Sequence, residues 1–129
     1  MIRAGACLAA AIALTGSAVR AENYPSRPIA LITPFAAGGS NDIIARSLGK
    51  KLSDTWGQPV IVENRPGAGG VIGASAVAAA APDGYTLLVH SNSHTVTQAT
   101  YKNLNYSPSR DFTGVMPLAF FAGSVFGWP

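Results

Sequence analysis

The stretch PIALITPFAAGGSND, residues 28–42, decides the fold of this chain of 129 residues. It begins with a short apolar run, residues 28–35, which lacks polar alternation and is therefore typical of a parallel strand buried on both faces. A glycine pair at 38–39 follows and permits backbone angles closed to other residues. Ser40 or Asn41 can then cap a helix. Strand, glycine loop and helix start thus follow one another directly.

The residues after this stretch predict an amphipathic helix. Asp42 places a carboxylate near the positive end of this helix, and Gly57 followed by Pro59 stops it. Apolar side chains recur at every fourth position and form one stripe along it: Ile44, Leu48, Leu52 and Trp56.

The same order of elements then repeats along the chain. Short β-branched runs predict strands, glycines or polar residues predict the loops that follow them, and alanine-rich or periodic stretches predict helices. The predicted elements are a strand at 60–62 that ends near Glu63 and Asn64, a glycine loop at 65–70, a helix at 71–81, a turn at 82–84, a strand at 86–89, a polar loop at 90–94 and a helix at 95–101.

Alternation of strands and helices predicts an α/β fold, with a parallel sheet, right-handed crossovers and helices on the faces of the sheet. The three loops that follow the strands then emerge at one edge of the sheet. Ligands of open α/β sheets bind at this carboxyl edge. The pattern therefore directs the search for a site to these three loops.

The loops predict an anion site built from main-chain amides. Free N–H groups at the glycines and at the start of a helix, with the positive end of its dipole, hold a carboxylate without any Arg or Lys. Serine and asparagine side chains of the third loop add hydrogen bonds. The alternative is that each glycine loop is only a tight connection. The predicted ligand-binding residues are Ala37, Gly38, Gly39, Ser40, Asn41, Asp42, Gly67, Ala68, Gly69, Gly70, Ser91, Asn92 and Ser93.

Several other functions are disfavoured by composition and spacing. Charged residues make up 12% of the chain and its net charge is +3, without the basic stripe of a nucleic-acid binder. The single cysteine, Cys7, excludes a disulfide framework and a cysteine zinc cluster. Gly67, Gly69 and Gly73 have the spacing G-x-G-x-x-x-G, which differs from the dinucleotide fingerprint. His90 and His94 lack a third metal ligand nearby and are interpreted as ordinary loop histidines.

The first residues predict an export signal. Arg3, an uncharged apolar run at 4–14 and small residues before Ala21 form the charge, core and cleavage pattern of a secretory signal. We expect cleavage after Ala21, which removes Cys7 and leaves a mature chain without cysteine. The alternative is an apolar helix that stays attached.

The end of the sequence is strongly apolar and rich in aromatic residues, PLAFFAGSVFGWP at 117–129. A strand is predicted at 115–121. An apolar end of this kind would be an exposed patch in water. We therefore interpret it as the start of a further part of the fold.

The motifs of the chain resemble those of one known family, the solute receptors of tripartite tricarboxylate transporters, the Bug or TctC-like family. The resemblance covers residues 24–112 in register. It is carried by five segments: YPSRPI at 24–29, PFAAGGSND at 34–42, GQPVIVENRPGAGG at 57–70, APDGYTLL at 81–88 and DFT at 111–113.

This resemblance implies a periplasmic binding protein of the type II-like class, with two α/β lobes and a ligand cleft between them. The implied ligand is a small organic carboxylate, and the implied partners are the membrane permease subunits of the transporter. No enzymatic activity, redox cofactor or nucleic-acid partner is implied. The family's binding loops carry over to residues 37–42, 67–70 and 91–93. The alternative from the residues alone is a small secreted α/β enzyme or nucleotide-binding domain.

The family chain is more than twice as long as this sequence. The resemblance therefore implies a signal peptide at 1–21 and the first part of lobe 1 at 22–112. Residues 113–129 are then the start of the crossover between lobes or an aberrant truncated tail. We expect a gene fragment or a truncated reading frame. Because binding proteins of this kind close two lobes around the ligand, we expect the chain alone to bind weakly or not at all.

Overall fold

A three-stranded parallel sheet forms the centre of the protein. The computed structural model describes residues 23–119, and the predicted signal peptide lies outside them. The strands are β1 (Ile29–Thr33), β2 (Val60–Asn64) and β3 (Thr86–Leu88), in the order β2-β1-β3. Both pairings are parallel, with Ile29 opposite Val60 and Ala30 opposite Thr86. The predicted α/β class is confirmed.

Three helices and a short 3₁₀ turn connect the strands. α1 (Ser40–Trp56) packs on β1 and β2, whereas α2 (Val71–Ala78) packs on β1 and β3. The 3₁₀ turn Ala68–Gly70 leads into α2, and α3 (Ser93–Thr100) follows β3. Because β2 and β3 lie on opposite sides of β1, the connection from β1 to β2 and the connection from β2 to β3 run in opposite directions across the sheet. Right-handed crossovers therefore place α1 and α2 on opposite faces of the sheet.

The core lies between α1 and the sheet. Leu31, Ala45 and Val89 form its buried centre. α1 faces the strands at Gly49, where a Cβ would lie 3.4 Å from Val60 Cγ1. The buried line of α1 is Asn41, Asp42, Ala45 and Gly49. The predicted apolar stripe lies at the border of this line, and Trp56 is exposed.

The two ends of α1 differ in how well the sequence predicted them. Gly57 ends the helix as predicted, with φ at +67° and its N–H donated to the Ser53 carbonyl. The predicted cap by Ser40 or Asn41 is wrong, because Gly39 is the N-cap and makes no side-chain cap bond. Instead, Asp42 Oδ2 accepts the N–H of Gly38 at 2.9 Å.

The predicted elements differ from the structure in several bounds, and the strands differ by one to two residues at their ends. α2 ends at Ala78 rather than at 81, and α3 covers Ser93–Thr100 rather than 95–101. Residues 112–119 have no regular secondary structure, so the strand predicted at 115–121 is absent from its described part. A strand needs a hydrogen-bonded neighbour, and Val115 is instead 80% exposed. No helix in residues 23–119 is long and apolar enough to cross a bilayer.

Candidate functional site

A crevice opens at the carboxyl edge of the sheet, between the loops that follow β1 and β3. These strands are neighbours in the sheet, and ligands of open α/β sheets bind at the carboxyl edge. The crevice has a volume of about 440 Å³. It is lined by Phe35, Ala36, Gly39, Ser40, Asn41, Ser91 and Asn92.

The start of α1 forms part of the lining of this crevice. The Ile43 N–H makes an early bond of the helix, to the Gly39 carbonyl at 3.0 Å. The amides of Ser40, Asn41 and Asp42 precede it and have no acceptor within the helix. Together with the positive end of the helix dipole, they suit a carboxylate.

The glycine amides of the predicted site are largely used within the protein, which corrects the expectation that they are free. The Gly38 N–H is donated to Asp42, and the Gly70 N–H to the Gly67 carbonyl at 3.0 Å. The Gly39 N–H lies 3.4 Å from the Ala36 carbonyl. Three of the five predicted glycine amides therefore have internal acceptors, whereas the amides of the helix start have none within the helix.

Asp42 is a second correction, because its carboxylate is occupied by groups of the protein itself. The residue is 3% exposed. Its oxygens accept hydrogen bonds from Arg46 Nε at 3.0 Å, from the Gly38 amide at 2.9 Å and from Asn64 Nδ2 at 2.9 Å. These three donors lower the pKa of the Asp42 carboxyl to about 2. Asp42 was expected to contact ligand, but the structure gives it a full set of internal partners.

The second glycine loop lies at the same edge and packs against the third loop instead of lining the crevice. Its glycines adopt left-handed angles, with φ +132° at Gly67, +61° at Gly69 and +99° at Gly70. A Cβ at Gly70 would lie 2.6 Å from His90 Nε2, and one at Gly69 would lie 3.1 Å from the Tyr101 hydroxyl. These glycines therefore allow close packing beneath the loop that carries Ser91.

The predicted ligand residues thus separate into two groups. Gly39, Ser40, Asn41, Ser91 and Asn92 line the crevice. Ser93 begins α3, and its hydroxyl bonds to that of Ser91 at 2.8 Å. The remaining predicted residues do not line the crevice: Ala37, Gly38, Asp42, Gly67, Ala68, Gly69 and Gly70. Sequence reasoning missed Phe35 and Ala36, although their position just after β1 is a signal for the carboxyl edge.

A second cavity adjoins the crevice. This second cavity, of about 280 Å³, shares Asn41, Ser91 and Asn92 with the first. Ile44, Leu88 and residues 116–118 add apolar walls to it. Both cavities therefore have a mixed lining of polar and apolar groups.

The two histidines lie in an aromatic cluster behind the third loop and are not ordinary loop histidines. Their ring centroids are 5.0 Å apart, His90 contacts Phe35, and His94 contacts Tyr106 and Phe112. Burial lowers the pKa of both rings. Residues 23–119 contain no group of three His, Cys, Asp or Glu side chains able to hold a metal ion.

Buried neutral histidines predict a loss of stability in mild acid. Below the usual histidine pKa of about 6.5 the unfolded chain binds more protons than the folded one. Stability is therefore highest above about pH 6.5 and falls as the pH is lowered toward about 5. Because the chain has only two histidines, the double variant His90→Asn/His94→Phe should flatten this slope. Urea unfolding measured across this range tests the prediction, and a flat profile for the unmodified protein would contradict it.

The chain is similar to known proteins in both sequence and structure. The model of the family described as "Tripartite tricarboxylate transporter family receptor", TctC, matches residues 44–126. Protein BugT of Bordetella pertussis is 54% identical over 95 residues, which are 72% of this chain and 29% of BugT.

Two solved structures are similar in fold as well as in sequence. The periplasmic binding protein BugD is 46% identical with a TM-score of 0.66, over 69% of this chain and 30% of BugD. MatC of Rhodopseudomonas palustris, solved with bound malate, is 40% identical with a TM-score of 0.66, over 74% of this chain and 33% of MatC. The chain thus spans about a third or less of the length of these proteins.

Proposed function

The chain belongs to the tripartite tricarboxylate transporter receptor family, and on that premise we propose that it binds a small organic carboxylate in the crevice between β1 and β3. The observation that carries this proposal is the start of α1, where the amides of Ser40, Asn41 and Asp42 precede the intrahelical bond from Ile43 to Gly39. An anion placed there meets N–H donors and a positive dipole end. The malate bound to the similar protein MatC supports this ligand class.

The proposed ligand contacts combine amides and side chains. The amides of Ser40 and Asn41 hold one carboxylate, and the side chains of Ser91 and Asn92 add hydrogen bonds from the opposite wall. The other predicted residues are proposed to act mainly by holding the loops that carry these contacts: Ala37, Gly38, Gly39, Asp42, Gly67, Ala68, Gly69, Gly70 and Ser93. The carbon skeleton lies toward Ile44 and Leu88.

The proposed biological role is that of a periplasmic solute receptor that hands its ligand to membrane permease subunits. In this proposal, residues 1–21 are the export signal, residues 22–112 form the first part of lobe 1, and residues 113–129 begin the crossover toward a second lobe. The family consists of receptors, and we propose no catalytic role for this chain.

Amide NMR titration tests the proposed ligand class. We expect malate or citrate to shift the amide resonances of Ser40, Asn41 and Asp42. The dissociation constants should lie in the millimolar range, because the two loops that line the crevice bury little of the ligand surface. The uncharged diamide of malate is the matched control and should leave these resonances unchanged. The absence of shifts with malate, citrate, glutamate and benzoate would overturn the proposal.

A further inference from the structure

A hydrogen-bonded network joins three elements beneath the crevice. We name the side chains of Asp42, Asn64 and Arg46 the Asp42 brace. Asp42 Oδ1 accepts from Asn64 Nδ2 at 2.9 Å, and Asp42 Oδ2 accepts from Arg46 Nε at 3.0 Å. Arg46 also donates to Asn64 Oδ1 at 3.0 Å, which closes the triangle. The brace therefore ties α1 to the end of β2.

The brace also holds both ends of the loop that follows β1. Asn64 Nδ2 donates to the Phe35 carbonyl at 3.1 Å, and the Gly38 N–H donates to Asp42 at 2.9 Å. Between these anchors the chain turns back, with φ +82° at Gly38. Phe35 and Ala36 line the crevice and lie at or between these two anchors, and Gly39, which also lines it, follows directly after the second anchor.

The Asp42 brace keeps the Asp42 carboxylate from competing with an anionic ligand at the start of α1. A free carboxylate in the first turn would compete with an anionic ligand for the positive helix end. The Asp42 carboxylate is instead buried among its three donors. The amides of Ser40 and Asn41 stay available, and the charge of Asp42 is balanced by Arg46.

We infer that Asp42 is a positioning residue, which acts through Asn64 and Gly38 to keep the loop after β1 in its ligand-ready form before any ligand arrives. The effect on ligand affinity rests on the proposed function, whereas the effect on the loop does not. A loop that loses its anchors spends less time in the competent form, and the apparent dissociation constant rises by the inverse of the competent fraction.

The test compares Asp42→Ala with two matched controls. Asp54→Asn changes the charge on the same helix at an exposed pair with Lys50, which lies 3.0 Å away. Leu48→Ala lowers stability without touching the brace, so it separates a positioning effect from a purely structural one. Asn64→Ala removes the hydrogen bonds that Asn64 makes in the brace, and this variant replaces Asp42→Ala in the test if Asp42→Ala does not fold.

Two readouts are measured on each folded variant. We expect amide exchange of Gly38 to become about tenfold faster in Asp42→Ala and malate affinity to fall about 3- to 10-fold. Both controls should keep the affinity of the unmodified protein. The reciprocal double variant Asp42→Asn/Asn64→Asp restores one carboxylate in the pair and should recover part of the affinity.

The outcomes distinguish the inference from the proposed function. If Leu48→Ala weakens malate binding as much as Asp42→Ala does, the positioning role is overturned. Unchanged exchange of the Gly38 amide in both Asp42→Ala and Asn64→Ala would also overturn it. If no variant and not even the unmodified protein binds malate, while Gly38 exchange still accelerates, the proposed function fails and the brace stands.

Discussion

Replacing Gly73 by alanine is expected to destabilise the protein by about 1–3 kcal/mol, although alanine favours an isolated helix by about 1 kcal/mol over glycine. Gly73 lies on the face of α2 that touches the loop after β1. A Cβ there would stand 2.7 Å from Pro34 Cβ and 3.0 Å from both Pro34 Cα and the Arg65 carbonyl oxygen. Two of these three atoms belong to the backbone, so the helix itself must move away from the sheet.

Gly49→Ala is the matched control, because Gly49 is also a helical glycine that faces the sheet. A Cβ at Gly49 would contact side-chain atoms of Val60, Val62 and Leu31 at 3.4–3.6 Å, which is ordinary packing distance. We expect this variant to range from neutral to about 1 kcal/mol more stable. Urea unfolding of the two variants gives the comparison. Equal changes in both would contradict the close contact assigned to α2.

Ser40→Glu is expected to stabilise the helix and to abolish most carboxylate binding. Ser40 is exposed, begins α1 and lines the crevice. A carboxylate in the first turn gains about 0.3–1 kcal/mol from the helix dipole. The same charge repels an anionic ligand about 4 Å away by about 1–4 kcal/mol, which corresponds to a loss of affinity of about fivefold or more. Stability and affinity therefore change in opposite directions.

The control for this variant is Ser40→Gln, which adds similar bulk without charge. We expect Ser40→Gln to retain more affinity than Ser40→Glu when malate is titrated and amide shifts are followed. Equal loss in the two variants would indicate that bulk alone blocks the crevice. Undiminished binding by Ser40→Glu would contradict an anion site at the start of α1.

The order of elements was predictable because it depends on local chemistry. The apolar run at 28–35 has no polar alternation, and buried parallel strands need none. Gly57 stops α1 because a left-handed angle at this position costs glycine little. The three loops meet at one edge for a topological reason, since parallel strands all point in the same direction. These features need only short stretches of sequence and one handedness rule.

The detailed site was not predictable, because its decisive contacts join residues far apart in the chain. The sequence around Asp42 predicts a carboxylate in the first turn of α1. It does not indicate that Asn64, 22 positions later, donates a hydrogen bond to this carboxylate. The buried line of α1 passes through Ala45 and Gly49, since small residues let the helix approach the sheet. The apolar periodicity of the sequence predicts instead that larger side chains face the sheet. The glycine amides were assigned to a ligand although their acceptors lie only three or four residues away in the sequence, so these local turn contacts were missed.

The place of β1 in the sheet has a consequence for the order in which the protein assembles. β1 is the first strand to be synthesised, yet both of its neighbours, β2 and β3, come later in the chain. Each pairing must therefore close across an intervening helix, and no adjacent-strand hairpin can nucleate the sheet. Until residue 88 has left the ribosome, the backbone edge of β1 that pairs with β3 has no hydrogen-bonding partner. During synthesis, incorrect strand pairing is therefore most favoured at β1, the strand that is most buried in the folded protein.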